Sequence, residues 1–280
     1  MTENINYING AWNIDSDSMV PIYDGGFLLG DGLFETIRFD NKKLFYPDKH
    51  LKRLFDSLDI IRINLEKSRD DIIHLLQEII QRNSIQSGLL RLMVTRGKVE
   101  GPPWKYEGMA GIYITIRPLT PELKYPVKIV FYTEEKYPII RYNPAIKSLN
   151  YIGNMLAKKD AEKEGAFEPV FYNADGYVTE CAIRNIFFIQ GDKLLTPRTD
   201  LGVLPGVMRE TIISIAQGAN LKAEETNIPF DSINDMDEAF VSSTGIGLLP
   251  CAWNGWTSNF VKTSELKRSL DTLIHSEESI

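Results

Sequence analysis

Apolar residues at Leu51, Leu54, Phe55 and Leu58 recur at helical spacing, so residues 48–60 are expected to form an amphipathic helix. Ile72, Leu75, Leu76, Ile79 and Ile80 give the same pattern over 69–82. Further helices are expected over 149–164, 207–218 and 264–275. Tyr7-Ile8-Asn9-Gly10-Ala11-Trp12 reads as a hairpin, because Asn-Gly supplies the left-handed backbone of a two-residue turn. Residues 34–39 read as a strand that turns back at Asp40-Asn41-Lys42-Lys43. Strands are also expected at 89–95 and 111–116, with residues 96–103 an exposed loop between them. Others are expected near 127–132, 168–172, 184–189 and 238–242.

The stretch Arg117-Pro118-Leu119-Thr120-Pro121-Glu122-Leu123 interrupts both periodicities, since proline lacks a backbone donor and fixes its own torsion. It divides the chain into two expected domains, residues 1–118 and 119–280. Strands and helices mix in both, which predicts an α/β (α+β) class.

Composition narrows the function. The chain has 280 residues, 43% hydrophobic and 25% charged, with a net charge of −7. Excess negative charge argues against a nucleic-acid surface. No apolar run reaches the length of a bilayer span, and the first residues lack the basic start and apolar core of a secretion signal. A cytoplasmic protein is therefore expected, with Cys181 and Cys251 as free thiols. His50, His74 and His275 are too scattered for a metal site. There is no Gly-x-Gly-x-x-Gly turn and no Gly-Lys-Ser/Thr phosphate loop.

The segment Ile146-Lys147-Ser148-Leu149-Asn150-Tyr151-Ile152-Gly153-Asn154 carries the strongest chemical signal. Lys147 stands between a proline-bearing approach and an apolar helical pattern. An amine that attacks a carbonyl is placed this way, at an element boundary and partly stripped of water. A lysine taken alone is most often a solvated surface charge. Four other blocks accompany this one. They are Leu29-Gly30-Asp31-Gly32-Leu33-Phe34-Glu35-Thr36-Ile37-Arg38, Asp48-Lys49-His50-Leu51-Lys52-Arg53-Leu54, Val178-Thr179-Glu180-Cys181-Ala182-Ile183-Arg184-Asn185-Ile186-Phe187, and the pair Leu204-Pro205-Gly206-Val207-Met208-Arg209 and Ser242-Ser243-Thr244-Gly245. In this order they resemble the class IV (fold-type IV) pyridoxal-phosphate aminotransferases.

The resemblance implies a two-domain fold with pyridoxal 5'-phosphate between the domains, and a homodimer. It implies that Lys147 bonds the cofactor's aldehyde and that Glu180 meets the pyridine nitrogen. The phosphate falls to Arg53, the backbone of Val207 and Met208, and Thr244. Leu204 packs on the ring. Tyr151, four residues after Lys147, would return to the same helix face and reach the phenolic oxygen. Glu35 resembles a family glutamate near the lysine, and reads nearly as well as a strand-end charge.

The implied reaction is a ping-pong transfer of an amino group between an amino acid and a 2-oxo acid. Phe34, Thr36, Arg91, Arg184 and Gly245 are the substrate-side candidates. The lysine segment is most similar to the D-amino acid group, which makes D-amino acids the leading expectation. Yet Lys98-Val99-Glu100 lacks that group's Arg-x-His carboxylate trap. Branched-chain L-amino acids come second: Arg91 matches their arginine, while Leu89 stands where they carry tyrosine. Thr36 keeps aminodeoxychorismate lyase open as a third reading. Arg184 serves either a substrate carboxylate or an internal ion pair.

Overall fold

The computed structural model describes residues 3–102, 104, 108–119 and 123–275. The chain divides into a first unit (Met1–Thr120, Ile146–Asn150 and His275–Ile280) and a second (Pro121–Ala145 and Tyr151–Ile274). Part of the linker stretch, residues 120–122, and Pro103 of the expected loop lie outside the described residues.

In the first unit, β1 (Ile5–Ile8), β2 (Ala11–Ile14), β3 (Gly32–Asp40), β4 (Lys43–Leu44), β5 (Gly88–Thr95) and β6 (Gly111–Pro118) form an antiparallel sheet in the order β2-β1-β6-β5-β3-β4. Asn9 and Gly10 turn the first hairpin with φ of 46° and 96°. Asn41 and Lys42 turn the β3–β4 hairpin the same way, and Lys42 Nζ then donates to the carbonyls of Ile80 and Asn83 at 2.9 and 2.6 Å. α1 (Gly25–Leu29) is short and capped by Asp24. α2 (Pro47–Ile60) starts on a proline that suits the first helical turn. α3 (Arg69–Arg82) opens with a reciprocal Ser68–Asp71 capping box. Leu51, Leu54 and Leu58 of α2 and Ile72, Leu76, Ile79 and Ile80 of α3 are buried, as their spacing predicted, while Phe55 and Leu75 of the same stripes are only partly buried.

In the second unit, β7 (Val127–Thr133), β8 (Glu168–Tyr172), β9 (Val178–Cys181), β10 (Asn185–Gln190), β11 (Lys193–Pro197), β12 (Lys222–Thr226), β13 (Glu238–Ser243) and β14 (Gly247–Ala252) form a mixed sheet in the order β12-β11-β10-β13-β14-β7-β8-β9. Val178, Cys181, Ile186, Phe188, Val241, Leu249 and Cys251 belong to one core. α4 (Ile152–Lys163) packs Ala157 and Ala161 with Tyr132 and Phe171. α5 (Val207–Ile215) is followed by the 3₁₀ turn Ala216–Ala219. α6 (Val261–His275) is secured by Glu238, whose carboxylate accepts the N–H groups of Lys262 and Thr263 at 3.0 and 2.7 Å.

Three differences from the sequence expectation have physical causes. The helix expected from residue 149 begins at Ile152, because the lysine segment is held against β3 instead. Phe34 N–H donates to the Lys147 carbonyl at 2.9 Å, and Leu149 N–H to that of Gly32 at 3.0 Å. The same bonds place Ile146–Asn150 with the first unit, not with residues 119–280. Finally, β4, β9, β11, β12 and β14 carry too weak an alternation to announce themselves. β12 reads Lys-Ala-Glu-Glu-Thr at the sheet edge, and β14 contains Pro250.

Candidate active site

Alternation along β3 sorts its side chains onto two faces. Leu33, Glu35, Ile37 and Phe39 alternate with Phe34, Thr36, Arg38 and Asp40. Thr36 pairs with Arg91 and Phe34 with Met93 across the β3–β5 ladder, so Phe34, Thr36 and Arg91 share a face. The Arg91 guanidinium lies 3.8 Å from the centre of the Phe34 ring, and Lys147 Nζ lies 4.5 Å from it. The ring's negative face attracts both cations. The structure thus brings together four sequence candidates, with the amine half-buried and the guanidinium exposed.

The opposite face explains Glu35. It is not a strand-end charge: it lies within β3 and is 1% exposed. Arg53 of α2 grips both of its oxygens, Nε to Oε1 at 2.7 Å and Nη2 to Oε2 at 2.6 Å. His50, one turn earlier, places Nδ1 2.8 Å from Oε2. Burial alone would raise the Glu35 carboxyl, but Arg53 and His50 outweigh it and bring its pKa down to about 2. Burial pushes His50 below its ordinary value despite Glu35. Arg53, expected at a phosphate, therefore has two of its donors committed to Glu35.

In the second unit, β9 presents Glu180. Its Oε1 accepts from Arg141 Nη1, and its Oε2 accepts the Leu204 N–H at 3.3 Å. Leu204 therefore meets Glu180 through its backbone. Arg141 also reaches Glu134 and Thr179. Gly202, at φ +77°, lets the chain turn here, and a β-carbon on it would lie 3.0 Å from that of Arg141. The sequence reading missed Glu134 and Arg141. An arginine six residues before the lysine was the available signal, but no periodicity marks it.

Gly206 is the N-cap of α5, and no side chain caps that helix. The N–H groups of Val207 and Met208 open it, with the positive end of its dipole. A β-carbon on Gly206 would sit 2.6 Å from Asn185 Oδ1. Asn185 Nδ2 donates to the carbonyl and hydroxyl of Ser242 at 3.0 and 3.1 Å. This ties the helix start to the end of β13, from which Thr244 and Gly245 continue in the turn to β14. An uncapped N-terminus closed down by a glycine, with a hydroxyl-bearing turn following the adjacent strand, suits a phosphorylated anion. In the same unit Glu180 adds a partly buried carboxylate on β9, and in the first unit Lys147 offers a half-buried amine; these residue types fit the phosphate, ring nitrogen and aldehyde of pyridoxal phosphate.

Two further candidates take other places. Arg184 pairs with the buried Glu168, so of its two readings the structure shows the ion pair. Tyr151 caps the start of α4 at φ −112°, ψ 10°. Because Lys147 precedes the helix on a strand-like segment, the four-residue spacing does not put the two on one helical face.

The family described as class IV amino-transferase matches residues 32–252. A D-alanine aminotransferase from Listeria monocytogenes is 32% identical over 241 residues, covering 84% of this chain and 82% of its own. An aminodeoxychorismate lyase from Bacillus subtilis is 29% identical over 252 residues, covering 87% and 84%. A branched-chain aminotransferase from the thermophilic archaeon Thermoproteus uzoniensis, crystallised with norvaline, has the same fold: the TM-score is 0.91 at 22% identity, over 99% of this chain and 97% of that one. With a lysine on a segment hydrogen-bonded to β3, a carboxylate on β9 and an anion cradle at α5, and matched over most of its length, the chain belongs to the class IV aminotransferases, pyridoxal-phosphate enzymes of fold type IV.

Proposed function

We propose that this chain transfers amino groups from D-amino acids to 2-oxo acids, with the carboxylate of the amino acid bound by Arg91. The supporting observation is that Arg91 and Lys147 flank one ring, Phe34, on one face of β3 and β5. A guanidinium and an amine held against one ring suit a substrate with a carboxylate beside its reacting carbon. Bound pyridoxal phosphate supplies an electron-withdrawing ring that makes the proton on the substrate's α-carbon acidic. Lys147 bonds the cofactor, and its Nζ moves that proton. Glu180 pairs with the ring nitrogen. Val207, Met208, Thr244 and Arg53 serve the phosphate, Tyr151 the phenolic oxygen and Leu204 the ring. Thr36 and Gly245 border the substrate.

The D-series reading draws on the lysine segment and on the D-alanine aminotransferase relatives. Branched-chain L-amino acids are the second reading, and the loop after β5 favours them. Arg96 there is held by Asp31 at 2.6 Å and by the carbonyls of Ile61 and Arg62, and Lys98 pairs with Glu100. That leaves Arg91 in the role. Mixing the holoenzyme with single amino acids and following the cofactor's absorption separates them. Bleaching by D-alanine or D-glutamate is expected. Bleaching by L-leucine or L-valine alone would transfer the assignment to the second reading, and pyruvate release from aminodeoxychorismate alone would reject aminotransfer.

A homodimer is part of the same proposal. Ile22, Tyr23, Phe27, Leu28 and Leu29, in and before α1, are exposed, Phe27 by 67%. Such a contiguous apolar stretch is a costly surface for a monomer. A second copy covering it accounts for the residues. Wild-type protein is expected to elute as a dimer in light-scattering chromatography, and Phe27→Asp as a folded monomer. A monomeric wild type, or a dimeric variant, would place the interface elsewhere or remove it.

A further inference from the structure

Glu134, Arg141, Thr179 and Glu180 form a closed cluster in the second unit. Arg141 Nη2 and Nε donate to Glu134 Oε1 at 2.6 and 2.9 Å, while Nη1 donates to Glu180. Thr179 donates its hydroxyl to Glu134 at 2.6 Å. The side chains of Glu134, Arg141 and Glu180 are 18%, 18% and 17% exposed, so water screens them poorly. Two carboxylates and one guanidinium leave one net negative charge. An Arg141–Glu180 pair alone would be neutral, and a neutral pair attracts a cationic ring nitrogen far less.

We propose that Glu134 and Arg141 are positioning residues for Glu180. Arg141 fixes the orientation of the Glu180 carboxylate, and Glu134 offsets the guanidinium so that Glu180 still presents net negative charge to the cofactor's ring nitrogen. This rests on the assignment of Glu180 to that nitrogen. Burial works against the charge on Arg141, but the two carboxylates outweigh it and hold its pKa above the ordinary value. The guanidinium therefore stays charged.

The test uses holoenzyme loaded with pyridoxal phosphate carrying ¹⁵N in the ring, whose resonance reports protonation. Glu134→Gln makes the cluster neutral. Its resonance is expected to move toward the unprotonated position, with kcat falling by up to about tenfold for each unit of lost proton affinity and KM for the amino acid little changed. Glu134→Asp keeps the charge and should leave the resonance in place. The double variant Glu134→Gln with Arg141→Gln loses every contact of the cluster's centre but regains one net negative charge, so its resonance should return. A merely structural role predicts that the double variant is worse than the single one. An unmoved resonance in Glu134→Gln overturns the proposal. Should that variant not fold, an unprotonated resonance in the double variant overturns it as well. Glu180→Gln separates the layers: if it leaves the resonance unchanged, the assignment of Glu180 itself fails. If it moves the resonance while Glu134→Gln does not, only the present inference fails.

Discussion

Lys147→Ala is expected to lower steady-state turnover by roughly 10³-fold or more, because general acid–base catalysis alone contributes ~10²–10⁴. The same change also removes the amine that bonds the cofactor. The loss should be chemical and not structural. Lys147 is tied to β3 through its backbone, by the bond from Phe34 N–H to its carbonyl, and the substitution leaves that bond intact. Its side chain is only half-buried, so little packing is lost. Compared as apoproteins, the variant and wild type should share one urea midpoint, and the variant should not retain cofactor after borohydride reduction and denaturation. Turnover within tenfold of wild type would refute the assignment of Lys147. A large fall in the urea midpoint would refute the claim that its role is chemical.

Glu35→Ala is expected to cost about 3–5 kcal/mol of stability, the range for breaking a buried ion pair by removing one partner. Arg53 loses the carboxylate that accepts two of its N–H groups, and His50 loses the acceptor 2.8 Å from Nδ1. The pH dependence has a definite sign. The folded carboxyl titrates at about 2 and its ordinary value is 4.5, so as pH falls the unfolded chain binds the proton first. The contribution is complete above pH 4.5 and disappears on the way down to about pH 2. It is worth on the order of 3 kcal/mol at neutral pH. His50 adds an earlier loss, because its pKa is depressed below 6.5 and the unfolded histidine protonates first. Urea midpoints measured from pH 7 to pH 3 should therefore fall in two stages for wild type, and Glu35→Ala should lack the lower one. Equal midpoints for the two proteins at pH 7 would show that the ion pair contributes nothing.

Both predictions combine what the sequence announces with what it hides. Lys147 and Glu180 are legible because a chemical motif occupies consecutive positions. α2 and α3 are legible because a helix spanning three or more turns repeats its apolar stripe often enough to be read. The strands β11, β12 and β14 escape notice because their alternation is weak, and their side chains answer to neighbours far along the chain. The start of α4 is misread for the same reason. Residues 149–151 have an apolar helical pattern, but hydrogen bonds to β3, more than a hundred residues earlier, hold the preceding segment extended.

The candidate site divides along the same line. By itself the sequence determined the family and the cofactor, and it nominated the lysine, the carboxylate and the glycine-led helix start, because each is a local arrangement of residue types that its chemistry requires. Only the tertiary structure decided how charges are shared. It gave Arg53 to Glu35, Arg184 to Glu168 and Arg141 to both Glu134 and Glu180. An ion pair is chosen by distance and burial in three dimensions, and the partners in these pairs stand from 7 to 39 positions apart along the chain. Nothing in a one-dimensional string fixes which carboxylate a guanidinium will meet.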